Sequence, residues 1–219
     1  MANPSDNSGR ILPAQFQPAL KVDKFIINHK PYGEDVVPLD VIFVGAGPAG
    51  LSGAIELARL VADDKSKGGQ LSVEIGVLEK ASTLGGHSLS GAVVNPIGFR
   101  TLFPDLKDSD FPFRRPVTSE KVFVMTKTKA IHIPTPPTMA NHGNHIASLC
   151  ECVRWLGEKA SAAGVIIMTG FPVDSLLTDG DRVIGVRTTP AGLKRDSQPG
   201  TNSLPATDIS AQVDRKSVV

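Results

Sequence analysis

A glycine-rich turn that follows a short apolar strand constrains the fold of this chain more than any other feature. Residues 40–44 read DVIFV, the β-branched-rich pattern of a parallel strand that is buried on both faces. Residues 45–50 follow directly and read GAGPAG, and a helical pattern begins at Pro48. Strand, G-x-G-x-x-G turn and helix in this order predict a unit that binds a dinucleotide.

Each glycine of this turn has its own role in the prediction. Gly45 makes the tight turn, Gly47 lets the backbone approach a pyrophosphate, and Gly50 lets the helix pack closely on the strand. Pro48 is suited to a first helical turn, where its missing N–H costs nothing. The free N–H groups and the positive end of the helix dipole then form a diphosphate site. A glycine-rich turn without a ligand is the alternative.

A second strand and an acidic residue complete the unit. The sequence predicts a helix over residues 48–61, a polar loop over 63–70 and a strand over 71–78. Glu79 follows that strand, where a carboxylate can accept hydrogen bonds from a ribose diol and repels the additional phosphate of NADP. The helix is predicted to bury the side formed by Leu51, Ala54, Ile55, Ala58 and Val61.

A second glycine-rich stretch leaves the strand end that carries Glu79. Residues 81–92 read ASTLGGHSLSGA, and their glycines allow the backbone to lie against a ligand. His87, Ser88 and Ser90 carry groups that can hydrogen-bond to a ribityl chain or to the edge of an isoalloxazine ring. The stretch is therefore predicted to border the same crevice as the first motif, with an ordinary surface loop as the alternative.

The middle of the chain is predicted to leave this α/β domain and to begin a second one. Residues 40–104 contain the dinucleotide-binding unit, the second glycine-rich stretch and a short helix stopped by Pro104. Residues 105–140 include apolar runs at 121–126 and 129–133 that predict a β-hairpin. Because a hairpin breaks the strand–helix–strand rhythm, it indicates the start of a β-rich domain on the substrate side.

Residues 141–213 are predicted to return to the first domain. Asn144 is the predicted N-cap of a helix that ends near Gly164. Residues 192–207 are polar and turn-rich. The predicted strands are 165–168, 172–177, 182–187 and 208–213, the last three forming a β-meander. The fold class is therefore α/β, with a Rossmann-like parallel sheet and a β-meander.

Composition excludes several other classes. The 219 residues are 41% hydrophobic and 21% charged, which is ordinary for a globular chain. The net charge of +1 gives no electrostatic case for a nucleic-acid partner. Residues 1–39 contain five prolines and are predicted to be an extended arm, with 25–27 laid against the domain. Cys150 and Cys152 are too few for a structural metal site and are predicted to be free thiols.

Together these motifs resemble the electron transfer flavoprotein–ubiquinone oxidoreductase family. The opening motif at 40–52 (DVIFVGAGPAGLS) and the LEK at 78–80 occur in many flavoproteins. More specific is GHSLSGA at 86–92, close to the family's GAHTLSGA. Further matching blocks lie at residues 102–105, 141–144 and 155–158. The resemblance extends from about Asp40 to Val213.

The resemblance implies a glutathione-reductase-like fold, FAD as cofactor, and electron transfer from reduced electron transfer flavoprotein to ubiquinone at a membrane surface. The family's 4Fe-4S cluster is held by four cysteines near the C-terminus, a region without a counterpart here. No catalytic acid, base or metal ligand carries over, because flavin and cluster do the chemistry. The implied cofactor-binding residues are Gly45, Gly47, Pro48, Ala49, Gly50, Glu79, Lys80, Gly86, His87, Ser88, Ser90 and Gly91.

Two other functions stay open at this point. A flavin hydroxylase or a reductase of the geranylgeranyl type shares the same FAD domain, and a nucleotide-binding module without redox chemistry would also use it. The expected location is cytoplasmic, peripheral to the inner or cytoplasmic membrane in the full-length protein. A fragment with this function is expected to be inactive alone.

The C-terminal end predicts an incomplete gene product. The fold expected from the resemblance needs a further strand and helix after the meander, and none follows. Residues 214–219 (DRKSVV) can be encoded by GATCGGAAGAGCGTCGTG, which resembles a sequencing-library adapter. These six residues are therefore predicted to be a non-native tail, with a charged native tail as the alternative.

Overall fold

The computed structural model describes residues 22–28, 36–193 and 198–211. Its helices are α1 (Pro48–Ser66), α2 (Ile97–Leu102) and α3 (Leu149–Ala162). Its strands are β1 (Ile26–Asn28), β2 (Val36–Leu39), β3 (Val41–Val44), β4 (Ile75–Glu79), β5 (Ala92–Val94), β6 (Phe113–Pro116), β7 (Val122–Met125), β8 (Ala130–Ile133), β9 (His145–Ala147), β10 (Ile166–Thr169), β11 (Val173–Asp179), β12 (Arg182–Thr188), β13 (Ala191–Leu193), β14 (Pro199–Leu204) and β15 (Asp208–Ala211).

A parallel sheet in the order β10-β4-β3 forms the centre of the fold. Side chains alternate between the two faces of a strand, so neighbouring residues of β4 enter different layers. Val77 packs among the helices α1 and α3, together with Leu51 and Leu156. Leu78 packs on the opposite face. The sequence predicts burial on both faces for β3, and this is wrong: β3 lies at the edge of the sheet, its first three residues are only half-buried, and Val44 is 53% exposed. The strand that is buried on both faces is β4, which lies between two neighbours. The α/β class with a parallel sheet is confirmed.

The helical layer is built as the sequence predicts. Helices α1 and α3 pack on each other and share one buried cluster with β4. The α3 residues Val153, Leu156 and Ala160 are buried, at the helical spacing expected of a core face. The five residues predicted to line the inner side of α1 are all buried, namely Leu51, Ala54, Ile55, Ala58 and Val61.

A second sheet covers the other face of the parallel sheet, in the order β1-β11-β12-β15-β2. Strands β11, β12 and β15 are antiparallel neighbours, which confirms the predicted β-meander. Arg187 of β12 donates two hydrogen bonds to the buried Asp208 of β15, with Nε–Oδ1 at 2.7 Å and Nη2–Oδ2 at 2.9 Å. The layers meet through Leu39, Leu78, Val186 and Ile209.

Two strands of this sheet lie inside the residues predicted to be an extended arm. β1 pairs in parallel with β11, so the apolar residues 25–27 do lie against the domain. β2 pairs in parallel with β15 and buries Leu39 at the interface between the sheets. The arm prediction is therefore wrong for β2, because Pro38 can be accommodated at a sheet edge, where its missing donor is not needed. Residues 1–21, 29–35, 194–197 and 212–219 lie outside the described part of the chain.

Several predicted boundaries differ from the structure. α1 continues to Ser66, past the predicted end at residue 61, because its last turn contains no buried residue and needs no apolar side chains. The second strand begins at Ile75 rather than at Leu71, after Asp40 Oδ2 accepts a hydrogen bond from Glu74 N–H at 2.7 Å.

The helix predicted from Asn144 also begins later, at Leu149. Residues His145–Ala147 instead form β9, which lies between β5 and β6 in a small antiparallel sheet. The apolar spacing alone could not distinguish these three strand residues from a first helical turn. The segment predicted to be turn-rich, 192–207, contains most of the hairpin formed by β13 and β14.

The predicted hairpin at 121–133 is present as β7 and β8, with Val124 opposite Ile131. Whether it begins a separate β-rich domain, and whether the fold is glutathione-reductase-like in detail, stay predictions. Within the described residues, none of the helices combines the length and the apolar character that a membrane span requires.

Candidate dinucleotide-binding site

The site lies where the carboxyl ends of β3 and β4 meet. Gly45 follows β3 and its N–H donates to the carbonyl of Leu78 at 2.7 Å, so the two strand ends are held together. Gly45 has a φ of +101°, in the region that side-chain-bearing residues rarely adopt. The chain therefore turns sharply from the strand into α1, as the motif predicts.

The other two glycines of the turn differ in what surrounds them. A Cβ on Gly50 would lie 2.1 Å from the carbonyl oxygen of Gly45, so the helix sits directly on the turn. A Cβ on Gly47 would meet no protein atom within 4 Å. The absence of a side chain at Gly47 thus leaves open space, which is the arrangement expected where a backbone must approach a ligand.

The N-terminal turn of α1 faces the same space. Pro48 is the first helical residue, and the N–H groups of Ala49 and Gly50 have no intrahelical acceptor because they precede the first i→i−4 bond. These groups and the positive end of the helix dipole favour an anion. A cavity of about 390 Å³ borders the turn, lined by Ile42, Phe43, Val44, Gly45, Gly47, Ala49 and Gly50.

The carboxylate of Glu79 connects the glycine turn to the second glycine-rich stretch. Its Oε2 accepts a hydrogen bond from Ala46 N–H at 3.0 Å, and its Oε1 accepts one from Ala81 N–H at 2.8 Å. An ionised carboxylate has about four acceptor positions. The half-buried group is thus fixed by the backbone while lone pairs stay available for ligand hydroxyls.

A smaller cavity of about 200 Å³ lies beside Glu79, and part of its wall comes from a segment that the sequence did not indicate. After β10 the chain turns at Gly170, whose φ is +78°. Gly170 N–H donates to Ala81 O at 2.8 Å and Phe171 N–H to Glu79 O at 2.9 Å. The cavity is lined by Val44, Gly45, Leu78, Glu79, Lys80, Phe171, Pro172 and Val173. The available signal was a glycine two residues after the predicted strand 165–168.

The second glycine-rich stretch begins at this site and extends away from it as a series of turns. Gly86 N–H donates to Thr83 O at 3.1 Å, and Ser88 N–H donates to Gly85 O at 3.0 Å. His87 and Ser90 are exposed and Ser88 is half-buried, so all three present polar groups at the surface. Gly91 has a φ of +80° and ends the stretch before β5.

The predicted residues therefore fall into two groups. Gly45, Gly47, Ala49 and Gly50 line the larger of the two cavities described above, Gly45, Glu79 and Lys80 line the smaller one, and Pro48 begins α1 beside them. Glu79 contacts the glycine turn directly. Gly86, His87, Ser88, Ser90 and Gly91 belong to the adjoining loop. The roles of all twelve residues toward a ligand stay predictions.

Both cysteines are free, and burial raises the pKa of the Cys152 thiol within α3. Among the residues that the structure describes, no three His, Cys, Asp or Glu side chains are grouped as metal ligands.

We expect Gly47→Val to prevent dinucleotide binding while the chain keeps its fold. The added side chain would fill the open space at the turn but would meet no protein atom at its Cβ. Circular dichroism and thermal melting are expected to match the unsubstituted chain, and FAD titration is expected to show no saturable binding. A Gly47→Val chain that is yellow and fully loaded with FAD would contradict this account of the turn.

No protein-family model matches the chain. The chain is 36% identical over 190 residues to electron transfer flavoprotein-ubiquinone oxidoreductase of Rattus norvegicus, covering 85% of this chain and 30% of that protein. It is 37% identical over 183 residues to the probable electron transfer flavoprotein-ubiquinone oxidoreductase of Acinetobacter baylyi, covering 81% of this chain and 31% of that protein. The chain thus spans about a third of the length of these curated relatives.

Among solved structures, the fold is similar to a geranylgeranyl bacteriochlorophyll reductase-like protein of Thermoplasma acidophilum. The TM-score is 0.52 at 16% sequence identity, over 80% of this chain and 38% of that one. At this identity the similarity shows a shared fold, in agreement with the α/β architecture. The sequence relatives confirm the resemblance that the motifs predicted.

Proposed function

This chain is homologous to part of the electron transfer flavoprotein–ubiquinone oxidoreductases, and on that premise we propose that it supplies the FAD-binding site of such an enzyme. The observation that carries the proposal is the Glu79 carboxylate, held by Ala46 N–H and Ala81 N–H at the mouth of the glycine turn. One carboxylate thereby contacts both the predicted pyrophosphate site and the glycine-rich stretch at 81–92, which is predicted to lie beside the flavin and is called the flavin-side loop below.

The residues present fit an FAD molecule. The open space at Gly47 and the N–H groups of Ala49 and Gly50 would receive the diphosphate, and Glu79 would accept hydrogen bonds from the adenosine ribose. The loop that carries His87, Ser88 and Ser90 would contact the ribityl chain or the ring. When bound, FAD supplies the ring system that accepts and releases electrons.

The proposal extends to the partners of the whole protein. Reduced electron transfer flavoprotein would be the electron donor and ubiquinone the acceptor, the two partners contained in the names of the curated relatives. We further propose a 4Fe-4S cluster outside these 219 residues and a peripheral position on the inner or cytoplasmic membrane, as the resemblance implies. Electron transfer would need those additional parts, so the chain alone is expected to be inactive.

Electron donors distinguish this proposal from the two alternatives. In the protein encoded by the complete locus, we expect reduced electron transfer flavoprotein to bleach the bound flavin anaerobically and a ubiquinone analogue to restore its colour. Reduction by NADPH alone, with no response to electron transfer flavoprotein, would favour a hydroxylase. Nucleotide binding without a flavin that dithionite can bleach would favour a non-redox module.

A further inference from the structure

One face of α3 is in contact with the start of the flavin-side loop. Cys150, Arg154 and Gly157 are spaced by four and three residues, so they lie on the same side of the helix. The adjoining face, with Val153, Leu156 and Ala160, is buried in the core. The loop therefore rests on a helix that is itself firmly packed.

In the first contact, the side chain of Leu84 packs against Gly157. A Cβ on Gly157 would lie 2.1 Å from Leu84 Cδ1 and 3.5 Å from Leu84 Cγ, so an alanine at 157 would displace the end of the leucine side chain from this position. Glycine in the interior of a helix is unfavourable relative to alanine. The glycine at this position is explained by the contact with Leu84 and not by the helix.

Two further contacts hold the backbone of the same two loop residues. Arg154 Nε donates to the carbonyl of Leu84 at 3.3 Å. Gly85, with a φ of +73°, lies so close to the first turn of α3 that a Cβ on it would be 2.8 Å from Cys150 O. Helix α3 thus contacts the side chain and the carbonyl of Leu84 and the Cα of Gly85.

These contacts determine where the polar part of the loop begins. Upstream, Ala81 is held by Glu79 and by Gly170 N–H. Downstream, Gly85 O accepts from Ser88 N–H at 3.0 Å, which closes the turn that presents His87. Because the loop is held at Ala81 and at Gly85, a shift of the Leu84 backbone would change the position of His87 and Ser88 relative to Glu79.

We propose that Gly157 and Arg154 are positioning residues that hold the loop so that it meets the flavin half of the cofactor. The inference rests on the proposed FAD site. The glycine turn and Glu79 bind the ADP half, and the loop held by α3 binds the flavin half. FAD and ADP therefore respond differently to changes in α3.

The test compares FAD and ADP binding to the 219-residue chain by isothermal titration. Gly157→Ala is expected to weaken FAD binding about tenfold, the effect of one or two lost hydrogen bonds. ADP binding should change less than about twofold, because the glycine turn is untouched. Gly98→Ala is the matched control, a helical glycine with open space around its Cβ, and should leave both affinities unchanged.

Two more variants keep the test decisive if Gly157→Ala folds poorly. Arg154→Met keeps the aliphatic stem and removes the donor to Leu84 O, and it should weaken FAD selectively by about threefold. Leu84→Ala in the Gly157→Ala background removes the clashing methyl groups and should restore part of the FAD affinity. A residue that affects stability alone would not produce this pattern of loss and rescue.

Each outcome has a separate meaning. Selective loss of FAD affinity in the α3 variants supports the inference. Equal loss of FAD and ADP, or no loss of either, overturns it and leaves the proposed function intact. An unsubstituted chain that binds neither ligand overturns the proposed function, and the inference with it.

Discussion

Glu79→Arg is expected to lower the affinity for FAD by at least about a hundredfold. The substitution removes the acceptor for Ala46 N–H and Ala81 N–H and the acceptor proposed for the ribose hydroxyls. Hydrogen bonds to a charged group contribute about 1.5–3 kcal/mol each, and about 1.4 kcal/mol corresponds to a factor of ten. The guanidinium also places a positive charge beside the positive end of α1, which opposes the fold of the turn.

The measurement is FAD titration of the variant next to two controls. Glu79→Gln keeps an acceptor oxygen without the charge and should show an intermediate loss. Glu158→Arg makes the same change of charge on the exposed side of α3 and should bind FAD like the unsubstituted chain. Wild-type FAD affinity in Glu79→Arg would show that Glu79 has no part in binding.

Gly50→Ala is expected to destabilise the chain by about 3 kcal/mol or more, the upper end of the range for overpacking. The new Cβ would lie 2.1 Å from Gly45 O, and the backbone fixes the positions of both atoms, so no side-chain rotation relieves the contact. The gain of about 1 kcal/mol in helix propensity on replacing glycine by alanine offsets only part of this cost. The helix must move away from the strand, and the turn opens.

Urea unfolding measures the free energy, with Gly98→Ala as the control because its Cβ meets no atom within 4 Å. Gly47→Val provides a second comparison, since it is expected to lose the ligand without losing stability. If Gly50→Ala unfolded at the same urea concentration as the unsubstituted chain, the close packing of α1 on the glycine turn would not be a structural requirement.

The local sequence pattern predicted the strand, the glycine turn and α1 because these parts follow one another in the sequence. Strand, glycine turn and helix form one continuous unit, and the order of the parallel strands brings Glu79 to the turn. The buried side of α1 followed from helical spacing, and the inner residues were identified correctly. For the glycine turn and the buried side of α1, the residues that determine the structure are close neighbours in the sequence.

The parts that the sequence did not predict depend on distant partners. Leu39 is buried at the interface between the two sheets, where β2 pairs with β15, which lies far away in the sequence. Likewise, His145–Ala147 becomes a strand because β5 and β6 are on either side of it. The contact of Gly157 with Leu84 joins two segments that no local pattern relates. Turn and helix propensities contain no information about such pairings.

The most direct test of the proposed site is a titration of the 219-residue chain with FAD, followed by displacement with ADP. We predict saturable binding of one FAD per chain, which ADP reverses because both ligands need the glycine turn and Glu79. Failure to bind FAD, or binding that ADP does not displace, would contradict the assignment of this crevice as the FAD site.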